Sequence, residues 1–180
     1  MLRFGCGDGA AFEALYRRHE APVFRYLLRN VRNEAAANDL LQEVWFAVAR
    51  SAARYQPTAK FTTWLYTIAH NKTVDAIRAS RPESLEIAAD FADDAIIDKM
   101  PAADARWEPV NELEARDQAR ALVRAVEQLP PEQRSAFLLQ AEAEMSVDDI
   151  ALATGASFET TKSRLRYART KLRQLLWEFA

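Results

Sequence analysis

Apolar positions recur three and four residues apart over most of this chain, the spacing of amphipathic helices. Phe12, Leu15, Tyr16 and His19 share one stripe, and Val23, Phe24, Leu27, Leu28 and Val31 extend it beyond Pro22. Pro22 either kinks one helix or opens a second, and the pattern fits both. Residues 33–38 read as a polar, alanine-rich break, with Asn38 or Asp39 placed to cap the next helix. Residues 39–55, DLLQEVWFAVARSAARY, form the strongest helical segment. One stripe there holds Leu41, Val44, Trp45, Val48 and Ala52, and a second holds Asp39, Gln42, Glu43, Phe46 and Arg50. Pro57 makes residues 56–60 a loop. Thr62 or Thr63 then starts a helix to about Ser80, with Leu65, Ile68, Ala69 and Ala76 inward. Trp64, Thr67, Asn71, Val74 and Arg78 line another of its faces.

The periodicity fails over residues 82–117, which carry Pro82, Pro101 and Pro109. A linker with one short helix is expected there, with Trp107 able to dock elsewhere. The helical pattern then resumes with Leu122, Val126 and Leu129, stops at Pro130-Pro131, and restarts with Phe137, Leu138 and Ala141. Ser146-Val147-Asp148-Asp149 resembles a capping box before Ile150, Ala151 and Leu152. Gly155 ends that short helix, and Ser157 caps a last one to about Trp177. Its inward positions are Phe158, Thr161, Leu165, Ala168, Leu172 and Leu176. Strand signals are missing, so the expected fold is all-α: two small helical domains, residues 1–81 and 118–180, joined by an acidic linker over 82–117.

Composition narrows the function classes. The 180 residues are 49% hydrophobic and 28% charged, the profile of a folded globular chain. A single cysteine, Cys6, excludes an internal disulfide framework and a cysteine-based zinc site. His19 and His70 lack ligand spacing, so neither a metal nor a cofactor is expected. There is no apolar run near the ~20 residues of a membrane span, and MLRFGCGDGA lacks the apolar stretch of a secretory signal. The expected location is the cytoplasm. The net charge of −2 hides an uneven distribution: +5 over residues 1–81, −8 over 82–117 and +1 over 118–180.

Three segments carry candidate chemistry. Residues 146–177 have helix-turn-helix organisation, with Thr154-Gly155-Ala156 as the turn. Glu159, Thr160, Ser163, Arg166, Tyr167 and Thr170 point away from the inward stripe, flanked by Lys162, Arg164, Arg169, Lys171 and Arg173. Such a helix reads base edges in a major groove while its cations meet phosphates, and the plain alternative is a solvated basic helix. Phe61-Thr62-Thr63-Trp64-Leu65-Tyr66-Thr67-Ile68-Ala69-His70-Asn71 combines rings, an amide and nearby cations. That set suits single-stranded nucleic acid, although Trp64 and Tyr66 serve equally as core residues. Phe46 on an otherwise polar stripe marks a partner surface or a wider core stripe.

FEALYRRH, DLLQEVWFAVA, FTTWLYTIAHN and LPPEQRSAFLL, followed by TTKSRLRYARTKLR, resemble the extracytoplasmic-function (ECF) sigma factors of bacterial RNA polymerase, in that family's order and spacing. The resemblance covers about residues 12–81 and 112–177. It implies a domain for the promoter −10 element, a domain for the −35 element, and transcription initiation on core polymerase, with no enzyme chemistry and no cofactor. Asp39, Leu40, Leu41, Gln42, Glu43 and Phe46 fall where the family binds the β′ clamp helices, and the β flap is the second implied polymerase contact. Tyr55 to Phe61 fall in the loop that captures a flipped base. Lys60, Phe61, Trp64, Asn71, Lys72, Arg78 and Arg81 are the implied −10 contacts. Glu159, Thr160, Lys162, Ser163, Arg164, Arg166 and Arg169 are the implied −35 contacts. The acidic linker matches the segment that runs through the RNA exit path, and an anti-sigma factor is a further implied partner. Thr161 and Tyr167 depart from the residues usual in the −35 helix, which points to an individual −35 preference.

Two other readings start from the same residues. A free-standing helix-turn-helix regulator would use the 39–55 face for dimerisation or a ligand, and copurification with core polymerase separates it from a sigma factor. A nuclease would need a rigid set of carboxylates or histidines, and Asp148-Asp149 is more simply a cap.

Overall fold

The computed structural model describes residues 1–80 and 112–177, with side chains described from Asp117 in the second part. Arg81, Trp107 and the three linker prolines lie outside the described residues. The described elements are α1 (Leu2–Gly5), α2 (Gly9–Val31), α3 (Glu34–Ser51), a 3-10 turn (Ala52–Arg54), α4 (Phe61–Ser80), α5 (Glu112–Glu127), α6 (Pro131–Ala143), α7 (Val147–Thr154) and α8 (Phe158–Leu175). All regular structure among the described residues is helical, as the apolar pattern predicts.

Short polar residues set most of the starts. Asp8 accepts from the Ala11 N–H at 3.1 Å and Asn33 accepts from Ala36 at 2.9 Å. Ser146 accepts from Asp149 at 3.2 Å and Ser157 from Thr160 at 3.1 Å. Each such cap contributes about 1 kcal/mol to its helix. Pro131 opens α6, where its missing N–H costs nothing. Gly155 ends α7 at φ +65°, a left-handed geometry that a Cβ would strain. Gly5 is needed for another reason: a Cβ there would lie 2.6 Å from the Ala52 carbonyl oxygen, so only glycine lets α1 lie against the 3-10 turn.

Several boundaries and faces differ from the sequence reading. Pro22 lies inside the single helix α2, where packing on both sides of it outweighs one lost backbone bond. The predicted break at 33–38 shrinks to a cap, because Asn33, not Asn38 or Asp39, starts α3. Leu122 is 42% exposed, although Val126 one turn further along the same stripe is buried with Ala121 and Ala125. Phe158 is 44% exposed because it lies a full turn beyond Thr161, the first buried residue of α8. Trp177 is also exposed, past the end of α8.

The first bundle closes around Val23, Tyr26, Leu27, Val44, Val48, Leu65 and Tyr66, and the second around Ala125, Leu139, Ile150, Leu165 and Ala168. These two sets form one continuous core. The joint is made by α4 packing on α7 and by α2 packing on α6. Within it the Tyr26 hydroxyl lies 2.8 Å from the Ser135 hydroxyl, and His70 Nδ1 is 3.1 Å from both oxygens. At its rim, Arg25 and Arg29 reach the Glu142 carboxylate at 2.7 and 3.7 Å.

Burial holds the His70 imidazole below its ordinary pKa, and the positive charge of Arg164 on α8 adds to this while Glu132 on α6 opposes it. Burial also lowers His19, whose ring lies 5.4 Å from that of Phe61. The unfolded chain therefore takes up protons before the fold does. Stability is expected to be level near neutral pH and to decline as pH falls through about 6.5, well above the carboxylate range. His70→Gln should remove part of the decline in Tm between about pH 7.5 and pH 5.5. An undiminished decline in that variant would contradict this account of His70.

Candidate polymerase and nucleic-acid interfaces

Three separate surfaces carry the residues singled out from the sequence. The first is the outer face of α3. Asp39, Gln42, Glu43 and Phe46 are exposed, and Phe46 reaches 65%. Leu40 and Leu41, from the same segment, are 6% and 7% exposed and pack into the core. Phe46 is the large apolar side chain on this otherwise polar face. Phe46, Glu43, Arg50 and Lys72 line a shallow hollow of about 290 Å³. Lys72 Nζ meets the Glu43 carboxylate at 2.7 Å, tying α4 to the edge of this hollow.

The second surface is built on α4 and the loop before it. Lys60, Asn71 and Arg78 are exposed, while Phe61, Trp64 and Lys72 are half-buried. Tyr66, by contrast, is core, so the plain reading of that ring holds. Tyr55 and Trp64 meet edge to face at 4.9 Å, with Phe61 5.9 Å from Trp64 and 6.3 Å from Tyr55. The rings brace one another and leave partial faces open, the arrangement that stacks bases at low ordering cost. Beside them an open groove of about 440 Å³ runs between Tyr55, Pro57 and Phe61 on one wall and Met1, Arg3 and Arg18 on the other. Arg3 and Arg18 were not reachable from the sequence pattern, because tertiary packing of α1 (Arg3) and α2 (Arg18) brings them to this loop.

The third surface is α8. Thr161, Leu165, Ala168 and Leu172 face inward, as their spacing predicts. Glu159, Thr160, Lys162, Arg166 and Arg169 are exposed, and Ser163 and Arg164 are half-buried. Arg169 donates to the Gln140 side chain at 2.7 Å, and the Arg166 guanidinium lies 5.1 Å over the Tyr167 ring. Leu152 on α7 is 63% exposed and flanks the turn into α8.

Sequence reasoning missed the polar set that joins the second surface to the other bundle. Asp149, read only as a helix cap, accepts from the Thr63 hydroxyl at 2.9 Å and from Lys60 Nζ at 3.1 Å, besides the Ser146 hydroxyl at 2.7 Å. Hydrogen bonding by Ser146, with Lys60 and Thr63 assisting, holds its carboxyl down to about 2. The signal for this set lies in tertiary packing, since 86 residues separate Thr63 from Asp149. Among the described residues no cluster of ligating side chains could hold a metal ion, and no helix is long and apolar enough to cross a membrane.

Residues 15–83 match the family model of Sigma-70 region 2, and residues 119–172 match that of Sigma-70 region 4. The chain is 37% identical to the RNA polymerase sigma factor CarQ of Myxococcus xanthus over 178 residues, covering 99% of this chain and 96% of that one. It is 31% identical to the ECF RNA polymerase sigma factor SigM of Mycobacterium tuberculosis over 170 residues, covering 94% and 79%. Its fold is shared with CnrH, solved in complex with the cytosolic domain of CnrY, at TM-score 0.67 and 22% identity over 98% of this chain and 94% of that one. It is shared also with RpoE of Bartonella quintana, solved with the anti-sigma factor NepR, at TM-score 0.68 and 20% identity over 92% and 96%. A region 2 bundle and a region 4 helix-turn-helix, in one chain and in that order, place this protein in the ECF family of RNA polymerase sigma factors.

Proposed function

We propose that three faces divide the work of initiation: the outer face of α3 holds core polymerase, α4 and its preceding loop hold the opened −10 strand, and α8 reads the −35 duplex. The observation that carries the reading is Phe46, a large ring left 65% exposed among Asp39, Gln42 and Glu43. An apolar anchor in a polar rim is the make-up of a binding hot spot, here for the β′ clamp helices. Region 4 would add a second polymerase contact at the β flap.

None of these steps needs covalent chemistry from the sigma factor. A base leaving the stack costs a few kcal/mol, and aromatic stacking recovers on the order of 1–3 kcal/mol per base. The open faces around Tyr55, Phe61 and Trp64 supply such stacking. Asn71, exposed one turn beyond Thr67, offers an amide to a base edge, and Lys72, Arg78 and Arg81 offer charge to the phosphates. On α8, Arg164 and Arg166 lie off the buried stripe and face the groove side with Glu159, Thr160, Lys162, Ser163 and Arg169. The protein acts where the polymerase is, in the cytoplasm. The solved neighbour RpoE is a sigma factor held by the anti-sigma factor NepR, which supports an anti-sigma factor as a partner here as well.

Two expectations follow from the separate faces. Phe46→Asp should weaken binding to core polymerase by at least about tenfold while the helical circular dichroism signal stays unchanged. Unweakened binding would remove α3 from the interface. Arg164→Ala and Arg166→Ala should each weaken binding of the holoenzyme to a −35-bearing duplex by about 1–3 kcal/mol, without loss of fold. Equal promoter affinity for wild type and both variants would exclude α8 as the reading helix.

A further inference from the structure

We propose that the groove between α1, α2 and the loop before α4 is a further nucleotide site for the opened −10 strand, with Arg18 as its phosphate ligand. The inference rests on the assignment of α4 and its preceding loop to that strand given above. It carries the strand past those residues and onto α2.

The groove has a volume of about 440 Å³, within the range of sites that take one small ligand. Its two walls differ in chemistry. Tyr55 and Phe61 belong to one, with their rings 6.3 Å apart and at 72° to each other. Arg3 of α1 and Arg18 of α2 belong to the other, and Ala14 and Leu15 add apolar lining. Among the described residues no carboxylate lines the groove. Aromatic faces on one side and guanidinium groups on the other match the two parts of a nucleotide, a base that stacks and a phosphate that takes charged hydrogen bonds. The fold builds this site rather than leaving it to a loose segment. Gly5, lacking a Cβ, lets α1 lie against the 3-10 turn that leads directly into Tyr55.

The cations near the groove are not equivalent. Arg3 meets the Asp8 carboxylate at 2.7 Å, and Asp8 also caps α2, so much of the Arg3 charge is met inside the protein. Arg17 pairs with Glu13 one turn back on α2, and neither lines the groove. Arg18 is exposed on the groove wall and has no hydrogen-bond or ion-pair partner among the described residues. Its charge is the one left for an anion from outside. Continuity with the ring set identifies that anion as the DNA strand. Tyr55 and Phe61 line the groove and also pack against Trp64, at 4.9 and 5.9 Å, so a strand stacked at Trp64 passes directly into it. An acidic peptide would use the arginines but would leave the aromatic wall without a matching face.

The test titrates holoenzyme, assembled from core polymerase and the full chain, with a fluorescein-labelled single DNA strand of random sequence over a range of salt concentrations. A phosphate contact carries no sequence information, so a random strand reports it. Arg18→Ala should flatten the fall of log K with log[salt] by about 0.7 and weaken binding roughly fivefold at low salt. Arg17→Ala, an equal loss of charge outside the groove, should change neither. Ala14→Trp fills the groove from an exposed position without changing charge, and should also weaken binding several-fold. An Arg18→Ala slope equal to that of wild type, or shifted no more than that of Arg17→Ala, would overturn the site. Weaker binding by Arg18→Ala while Ala14→Trp binds as wild type does would overturn the groove as the path of the strand. Arg78→Ala on α4 tests the parent assignment separately. Unchanged binding there, with losses at Arg18 and Ala14, would keep the groove and fail the assignment of α4.

Discussion

The joint between the bundles depends on one carboxylate placed by a helix start. Ser146 caps α7 and in doing so fixes Asp149, whose second and third hydrogen bonds leave its own bundle for Thr63 and Lys60. An exposed ion pair alone contributes little, since salt and side-chain entropy erode it. Here the carboxylate also takes a hydroxyl buried beneath it, and removing the carboxylate would strand a buried donor. Next to it, Tyr26, Ser135 and His70 satisfy one another inside the joint. Polar groups thus decide how the bundles meet, and apolar residues supply the area they cover.

This division explains the shape of the sequence signal. Within each bundle the apolar stripes carry the information, and Val44, Val48, Leu65, Leu165 and Ala168 are buried as their spacing requires. The short polar caps at Ser146 and Ser157 were legible for the same reason, because a cap acts within three residues. The pattern misled at Leu122 and Phe158, which are apolar but exposed, while Leu41 is buried with its stripe. The groove at Arg3 and Arg18 and the contact of Asp149 with α4 depend on elements far apart in the chain, and local periodicity holds no trace of them.

Placement of function follows from what the fold leaves unfinished. Phe46 and Leu152 stay in water on faces that the core does not need, and the rings of Tyr55, Phe61 and Trp64 are braced but only partly covered. The work proposed for these faces is binding, so their residues need only offer matched surfaces in the correct order. The helix α4 proposed to meet the promoter also packs on α7 at the joint.

The most direct test of the account is binding of the full chain to core polymerase, compared between wild type and Phe46→Asp, because Phe46 is the large ring left exposed on α3. The account predicts that the variant binds at least about tenfold more weakly with its helical signal unchanged. Equal binding by the two chains would contradict it.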